Sequence, residues 1–386
     1  VTAFPRLLAR GLRLAATAGR RRLGLANPPR MLTFTVTMTC NARCVMCDSW
    51  RLPARDDLTL GEIAEIFSQL PPLDLVRLTG GEPFARPDLP DIAALAEERL
   101  RPAVLHVTTN GFLTDRIVAF CERRRRRAPL YLLVSLDGLE PKHNEVRGSR
   151  DAWRRTTATL AALAPRQREL GISLAVNQTV VDGAGLEQYR ALRTFLAPLA
   201  VRHQMVVAYA ASATYNLERG ADVAPQRPGE FHTFGDIRPD QVRELVSEAW
   251  RDAARLPLAE RLARRYYLAG VVARLADGGA QPNPPCVALD AHLRILPNGD
   301  VPTCQFNGAV VGNLRRQRFA EVWRGAEAAA RRAWVRACPG CWAECEVAPS
   351  AVYSGDLARA LLPAFGQRRR TASSAAGDAG LERPGG

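Results

Sequence analysis

Between residues 31 and 210, short apolar runs alternate with amphipathic stretches, and this alternation is the strongest constraint on how the chain folds. Six runs, at 32–39, 75–78, 104–108, 130–135, 172–181 and 204–208, have the length and side-chain types of strands. The pattern between them predicts helices at 60–69, 88–100, 114–125, 152–163 and 187–199, the first capped by Thr59. Strand–helix units of this length imply a parallel sheet with right-handed crossovers. The expected fold is therefore α/β, a partial (βα)6 parallel barrel, with its working loops at the C-terminal strand ends.

Those loops carry the polar signals. Directly after the first strand, Cys40, Cys44 and Cys47 follow one another at C-x3-C-x2-C spacing. A tight loop can gather three thiolates onto one inorganic cluster, and iron–sulfur clusters usually take four Cys ligands. Three close ligands without a fourth nearby suggest a [4Fe–4S] cube with one iron left open. The alternative is a zinc knuckle, although zinc sites favour C-x2-C pairs and four protein ligands. After the second strand come Gly80, Gly81 and Glu82. Paired glycines let backbone approach a ligand closely, and a carboxylate accepts hydrogen bonds from an ammonium. Asn110 follows the third strand, Ser135 and Asp137 the fourth, then Arg147; Asn177 lies on the fifth. His203 and Tyr209, near the sixth strand, are candidate substrate contacts, whereas His106 and His143 read as structural or exposed.

Nine cysteines in a long chain with no evident export signal argue for metal ligation over disulfides. Cys286 and Cys304 flank a stretch, 291–303, that reads as a β-hairpin and would bring them together. Cys338 and Cys341 add a C-x2-C pair, and Cys345 a fifth thiol. Four thiolates from this group would suit an iron–sulfur cluster or zinc. Cys121 reads as a buried apolar residue of a helix.

The order of these motifs resembles the radical S-adenosylmethionine (radical SAM) superfamily, with a C-terminal extension of the SPASM/twitch type. The resemblance implies an oxidoreductase-type enzyme in which Cys40, Cys44 and Cys47 hold a [4Fe–4S] cluster that binds SAM. Reductive cleavage of SAM then yields a 5′-deoxyadenosyl radical, which abstracts hydrogen from the substrate. The resemblance further implies that Met46 packs on adenine, where relatives usually carry an aromatic residue. It assigns the SAM amino group to Gly80, Gly81 and Glu82, the ribose to Ser135 and the carboxylate to Arg147, with Asn110, Asp137 and Asn177 in the same site. On the second cysteine group it implies an auxiliary [4Fe–4S] cluster. One such cluster is expected, because a full SPASM extension has seven cysteines and this chain has five there. Cys345 either replaces Cys338 or Cys341 as a ligand or stays free. The implied partners are an electron donor such as flavodoxin or ferredoxin and a peptide or small natural-product substrate, oxidised or otherwise functionalised at a C–H bond.

The expected segments are 1–30, a basic amphipathic arm; 31–235, the barrel; 236–282, a helical connector; 283–347, the auxiliary-cluster domain; and 348–386, a largely disordered tail. The first 30 residues hold seven Arg and no acid. Such a helix would suit an anionic lipid surface or the protein's own surface. The first option motivates a lipid or lipid-linked glycan as an alternative substrate, with peripheral contact at the inner face of the membrane. No apolar run is long enough to span a bilayer, so a cytoplasmic location is expected. The net charge of +14 is almost entirely arginine, Lys142 being the only lysine, and no basic stripe is interleaved with aromatics. Nucleic acid is therefore not an expected partner. A non-catalytic zinc- or nucleic-acid-binding protein remains the competing class; it predicts zinc instead of iron and no 5′-deoxyadenosine.

Overall fold

The computed structural model describes residues 3–51, 56–209, 235–278, 283–338 and 340–357. After the N-terminal helix α1 (Ala3–Arg22), six strands run in chain order: β1 (Met31–Thr35), β2 (Leu75–Thr79), β3 (Val104–Thr109), β4 (Leu130–Ser135), β5 (Ile172–Val180) and β6 (Arg202–Val207). Between them lie α2 (Leu60–Ser68), α3 (Leu89–Leu95), α4 (Thr114–Arg123), α5 (Glu140–Arg147), α6 (Ala152–Leu163), α7 (Gln167–Leu170) and α8 (Gly185–Leu196). Two long helices follow, α9 (Pro239–Ala253) and α10 (Leu258–Leu275). The C-terminal part holds β7 (His292–Ile295), β8 (Asp300–Pro302), β9 (Val310–Asn313), α11 (Phe319–Arg324), α12 (Ala326–Ala337) and α13 (Glu344–Tyr353).

The six expected strands form one parallel sheet, and a seventh joins it, in the order β6-β5-β4-β3-β2-β1-β7. β7 corrects the hairpin expected at 291–303. It pairs in parallel with β1, whereas the antiparallel pair of this region is β8 with β9. The barrel is thus continued by a strand of the C-terminal part, and the expected boundary at 283 does not separate two sheets.

Alternation along the strands gives the sheet two different faces. Leu32, Phe34, Val76, Leu78, Leu105, Val107, Leu132 and Val134 are buried and pack outward against the helices in the main core. The other face borders a cavity, which explains why polar residues interrupt otherwise apolar strands. A second core, with Tyr266, Tyr267 and Trp342, joins α9 and α10 to the C-terminal cysteine loop.

The arm is not free. Leu14 of α1 packs beside Met31, Val287 and Tyr353, and Arg21 pairs with Asp290 at 2.8 Å. Asn27 donates to the same carboxylate through its backbone and its side chain. This is the protein-surface option for residues 1–30. No helix among the described residues is long and apolar enough to cross a membrane. The loop expected at 211–235 lies almost wholly outside the described residues, as does the tail beyond 357.

Candidate active site

The three cysteines of the first group sit on a loop held from two sides by backbone. On one side the β1–β2 pairing runs past the strand ends: Gly81 N–H donates to Thr37 O and Glu82 N–H to Thr39 O, both at 2.8 Å. A Cβ on Gly81 would lie 2.4 Å from the carbonyl oxygens of Met38 and Thr39. The glycine is therefore required by the approach of the cysteine strand. On the other side, Arg43 and Val45 donate to Arg147 O and Val146 O at the end of α5. There Gly148 has φ +60° and packs against Arg43 O, where a Cβ would come within 2.2 Å.

Cys40, Cys44 and Cys47 open onto a cavity of about 910 Å³. Met46, Gly80, Gly81, Asn110, Ser135, Arg147 and Asn177 border the same cavity, as do His203 and Tyr209. Of the expected cofactor residues, Glu82 and Asp137 are not among those that border it. Both are buried, with their carboxylates held by protein donors. Glu82 accepts from Phe84 N–H (3.0 Å), Thr109 Oγ1 (2.8 Å) and Asn110 N–H (2.7 Å), tying the end of β2 to the end of β3. Burial pushes its carboxyl up to about 7 despite these donors. These three bonds make Glu82 shape the Gly80–Gly81 turn, the turn expected to meet the SAM ammonium. Glu82→Gln turns one acceptor toward a donor and should cost about 1–3 kcal/mol in chemical unfolding.

Asp137 accepts a two-pronged pair from Arg147 (Nε 2.6 Å, Nη2 3.0 Å) and a third bond from Thr179 N–H (2.9 Å). Arg147 then points its Nη1 to within 3.5 Å of Cys44 Sγ. His143, expected to be structural or exposed, sits fully buried behind the pair, and its Nδ1 accepts from Asp137 N–H at 3.1 Å. Asn41, inside the cysteine loop, was not singled out by spacing. Its Oδ1 accepts from Asn110 Nδ2 at 2.7 Å. An uncharged polar residue between two candidate ligand cysteines was the available signal.

The second cysteine group is anchored by Trp342, whose indole donates to Tyr267 O at 2.8 Å and stacks on Tyr266. Burial pushes the thiols of Cys286, Cys304, Cys338 and Cys341 up. After burial, Cys286 feels Glu346 and Cys338, Cys304 feels Glu346 and Cys286, and Cys341 feels Glu346, Cys286 and Cys304. Cys345 stands apart: it contacts Gln305 Oε1 at 3.3 Å and borders the barrel cavity. Glu346 joins the two parts of the molecule, pairing with Arg294 of β7 at 2.7 Å and with His292 at 3.3 Å.

The thiols fit clusters better than single ions. Among the described residues no three His, Cys, Asp or Glu converge to grip one metal ion. Burial pushes Cys40 up to about 12 and raises Cys47 as well, so these soft donors stay protonated until a strongly electrophilic centre displaces the protons. Three cysteine side chains at one end of an open cavity match a cluster with a free coordination position.

The sequence pattern of the radical SAM superfamily matches residues 34–195, and that of the SPASM iron–sulfur cluster-binding domain matches residues 286–345. The chain belongs to the radical SAM superfamily and carries a C-terminal SPASM domain. This radical SAM protein is 26% identical to the AdoMet-dependent heme synthase of Methanosarcina barkeri, over 79% of its own length and 85% of that protein. It is 32% identical to the GTP 3′,8-cyclase of Aquifex aeolicus, over 46% of its own length and 56% of that enzyme. The fold is shared with Streptococcus suis SuiB bound to its precursor peptide SuiA, at a TM-score of 0.53 and 15% identity, covering 84% of this chain and 70% of SuiB. Membership brings a [4Fe–4S] cluster with SAM, and iron–sulfur at the SPASM domain.

Proposed function

We propose that this radical SAM protein abstracts hydrogen from a peptide or small metabolite enclosed in the barrel cavity and carries the product to an oxidised or C–H-functionalised state. The observation behind this reading is the shared cavity: Cys40, Cys44 and Cys47 border it at the strand ends, Cys345 borders it from the SPASM side, and the inner barrel wall lies between. Its size falls in the range of small-molecule sites. The cluster and SAM supply a one-electron reductive cleavage that yields the hydrogen-abstracting radical. In this reading Cys40, Cys44 and Cys47 hold the cluster, Met46 packs on adenine, Gly80 and Gly81 present backbone to the amino group, and Ser135, Asn110 and Asn177 hold the ribose side. Arg147, fixed by Asp137, binds the carboxylate. Cys286, Cys304, Cys338 and Cys341 hold the auxiliary cluster, leaving Cys345 beside the substrate.

An oxidation needs an acceptor for the electron left on the substrate, and the auxiliary cluster fills that place; flavodoxin or ferredoxin is the proposed reductant. The SuiB fold supports a peptide, since that structure holds one. The test is label transfer. Anaerobically reconstituted enzyme, SAM and reductant are mixed with peptide and metabolite fractions from deuterium-grown cells. Deuterium in 5′-deoxyadenosine from one fraction is the expected result. Cleavage of SAM without label from either fraction removes this substrate assignment.

A further inference from the structure

The inner barrel wall carries a row of polar residues set by strand register. Thr33 pairs with Arg77, Arg77 with His106 and His106 with Tyr131, while Thr33 also pairs with Arg294 on β7. All five border the cavity. Within the row, Arg294 is neutralised by Glu346, which also takes His292. Arg77 is not neutralised. Its Nε donates to His106 Nδ1 at 2.9 Å, and no carboxylate among the described residues lies within ion-pair distance.

That pairing is informative because the acceptor is a neutral ring. Accepting at Nδ1 places the imidazole proton on Nε2. His106 is 6% exposed, and its Nε2 has no hydrogen-bond partner. Burial and the Arg77 charge hold the ring well below the usual imidazole range, so it does not compete for the cation's counter-charge. Tyr131 packs edge-on against the ring at 5.2 Å and donates to Gln204 Oε1 at 3.3 Å, which fixes the imidazole from the far side. A guanidinium held at Nε by a neutral group keeps its Nη1–Nη2 edge for an oxyanion, the geometry that recognises a carboxylate or phosphate. An unpaired cation at a cavity wall is costly unless its ligand carries the missing charge.

We infer that Arg77 and His106 form an oxyanion subsite, and that the substrate carries a carboxylate or phosphate held there. The inference rests on the cavity being the substrate site. Arg77 lies two residues before Thr79, the last residue of β2, and strands rise about 3.3 Å per residue, so the subsite is about 7 Å below the strand end. The anionic group is thereby held deep, with the rest of the substrate directed toward the cysteine loop.

The test is equilibrium binding of two probes, succinate and inorganic phosphate, to the reconstituted protein with SAM saturating the Arg147 end. Calorimetry compares wild type with R77Q, R77K and H106F, accepting only variants that keep the wild-type cluster absorption and SAM affinity. Wild type should bind at least one probe, R77Q at least tenfold more weakly, with R77K between them. The tighter probe distinguishes carboxylate from phosphate. Absence of binding to wild type, or equal binding to wild type and R77Q, overturns the inference. The two readings fail separately: anion binding lost with R77Q stands even if no fraction yields labelled 5′-deoxyadenosine.

Discussion

Replacing Cys40, Cys44 and Cys47 together with alanine should reduce SAM cleavage to background while leaving the protein folded. The loop does not depend on its thiols for shape. Arg43 and Val45 are tied to α5 through backbone, Cys47 N–H donates to Cys44 O, and Gly81 and Glu82 grip the preceding strand. The thiols face the cavity, so their loss removes ligands without opening the core. Iron per chain should fall by the first cluster's share, and the far-ultraviolet spectrum should stay at wild type. Cys121→Ala is the contrast. That thiol is fully buried in the main core, away from the cavity, so its removal should cost about 1 kcal/mol of packing and leave the iron content unchanged. Zinc in the wild-type protein, with no 5′-deoxyadenosine formed from SAM, would instead restore the zinc-binding alternative.

The cysteine loop and the polar strand ends were legible because each depends on local order: a strand, a tight turn, then chemistry. The parallel sheet was legible for the same reason, through repeated periods. What could not be read was direction and long-range pairing. Glu82 follows two glycines that fold its carboxylate back onto Asn110, and spacing does not reveal that turn. β7 looks like half of a hairpin because a Gly-containing turn follows it, yet its partner is β1, far away in the chain. Arg77 and His106 appear in sequence as isolated polar residues in apolar runs. Their partnership is a property of register, which a single strand does not encode. The five C-terminal thiols are likewise equivalent by spacing, and only folding sets Cys345 against the cavity.

The second large effect is expected at Asp137. Its carboxylate is buried, and burial alone would push its pKa up; Arg147 and the His143 ring outweigh that and hold it at about 2. Asp137→Ala leaves the Arg147 guanidinium buried with its main partner gone, which should cost about 3–5 kcal/mol in chemical unfolding. The damage should spread, because the backbone carbonyls of Val146 and Arg147 hold the cysteine loop and the Arg147 side chain borders the cavity. SAM affinity should therefore fall with stability in this variant. Asp137→Asn, which keeps the shape but not the charge, separates the two contributions through pH. A carboxyl depressed in the folded state stabilises above its unfolded pKa of about 3.9 and loses that stabilisation as pH falls through its folded value. The stability difference between wild type and Asp137→Asn should then be constant from pH 8 to about 5 and close between about pH 4 and pH 2. A difference that persists unchanged to the acid limit would show that the loss does not come from the charge of Asp137, and Arg147 would owe its orientation to hydrogen-bond geometry and packing instead.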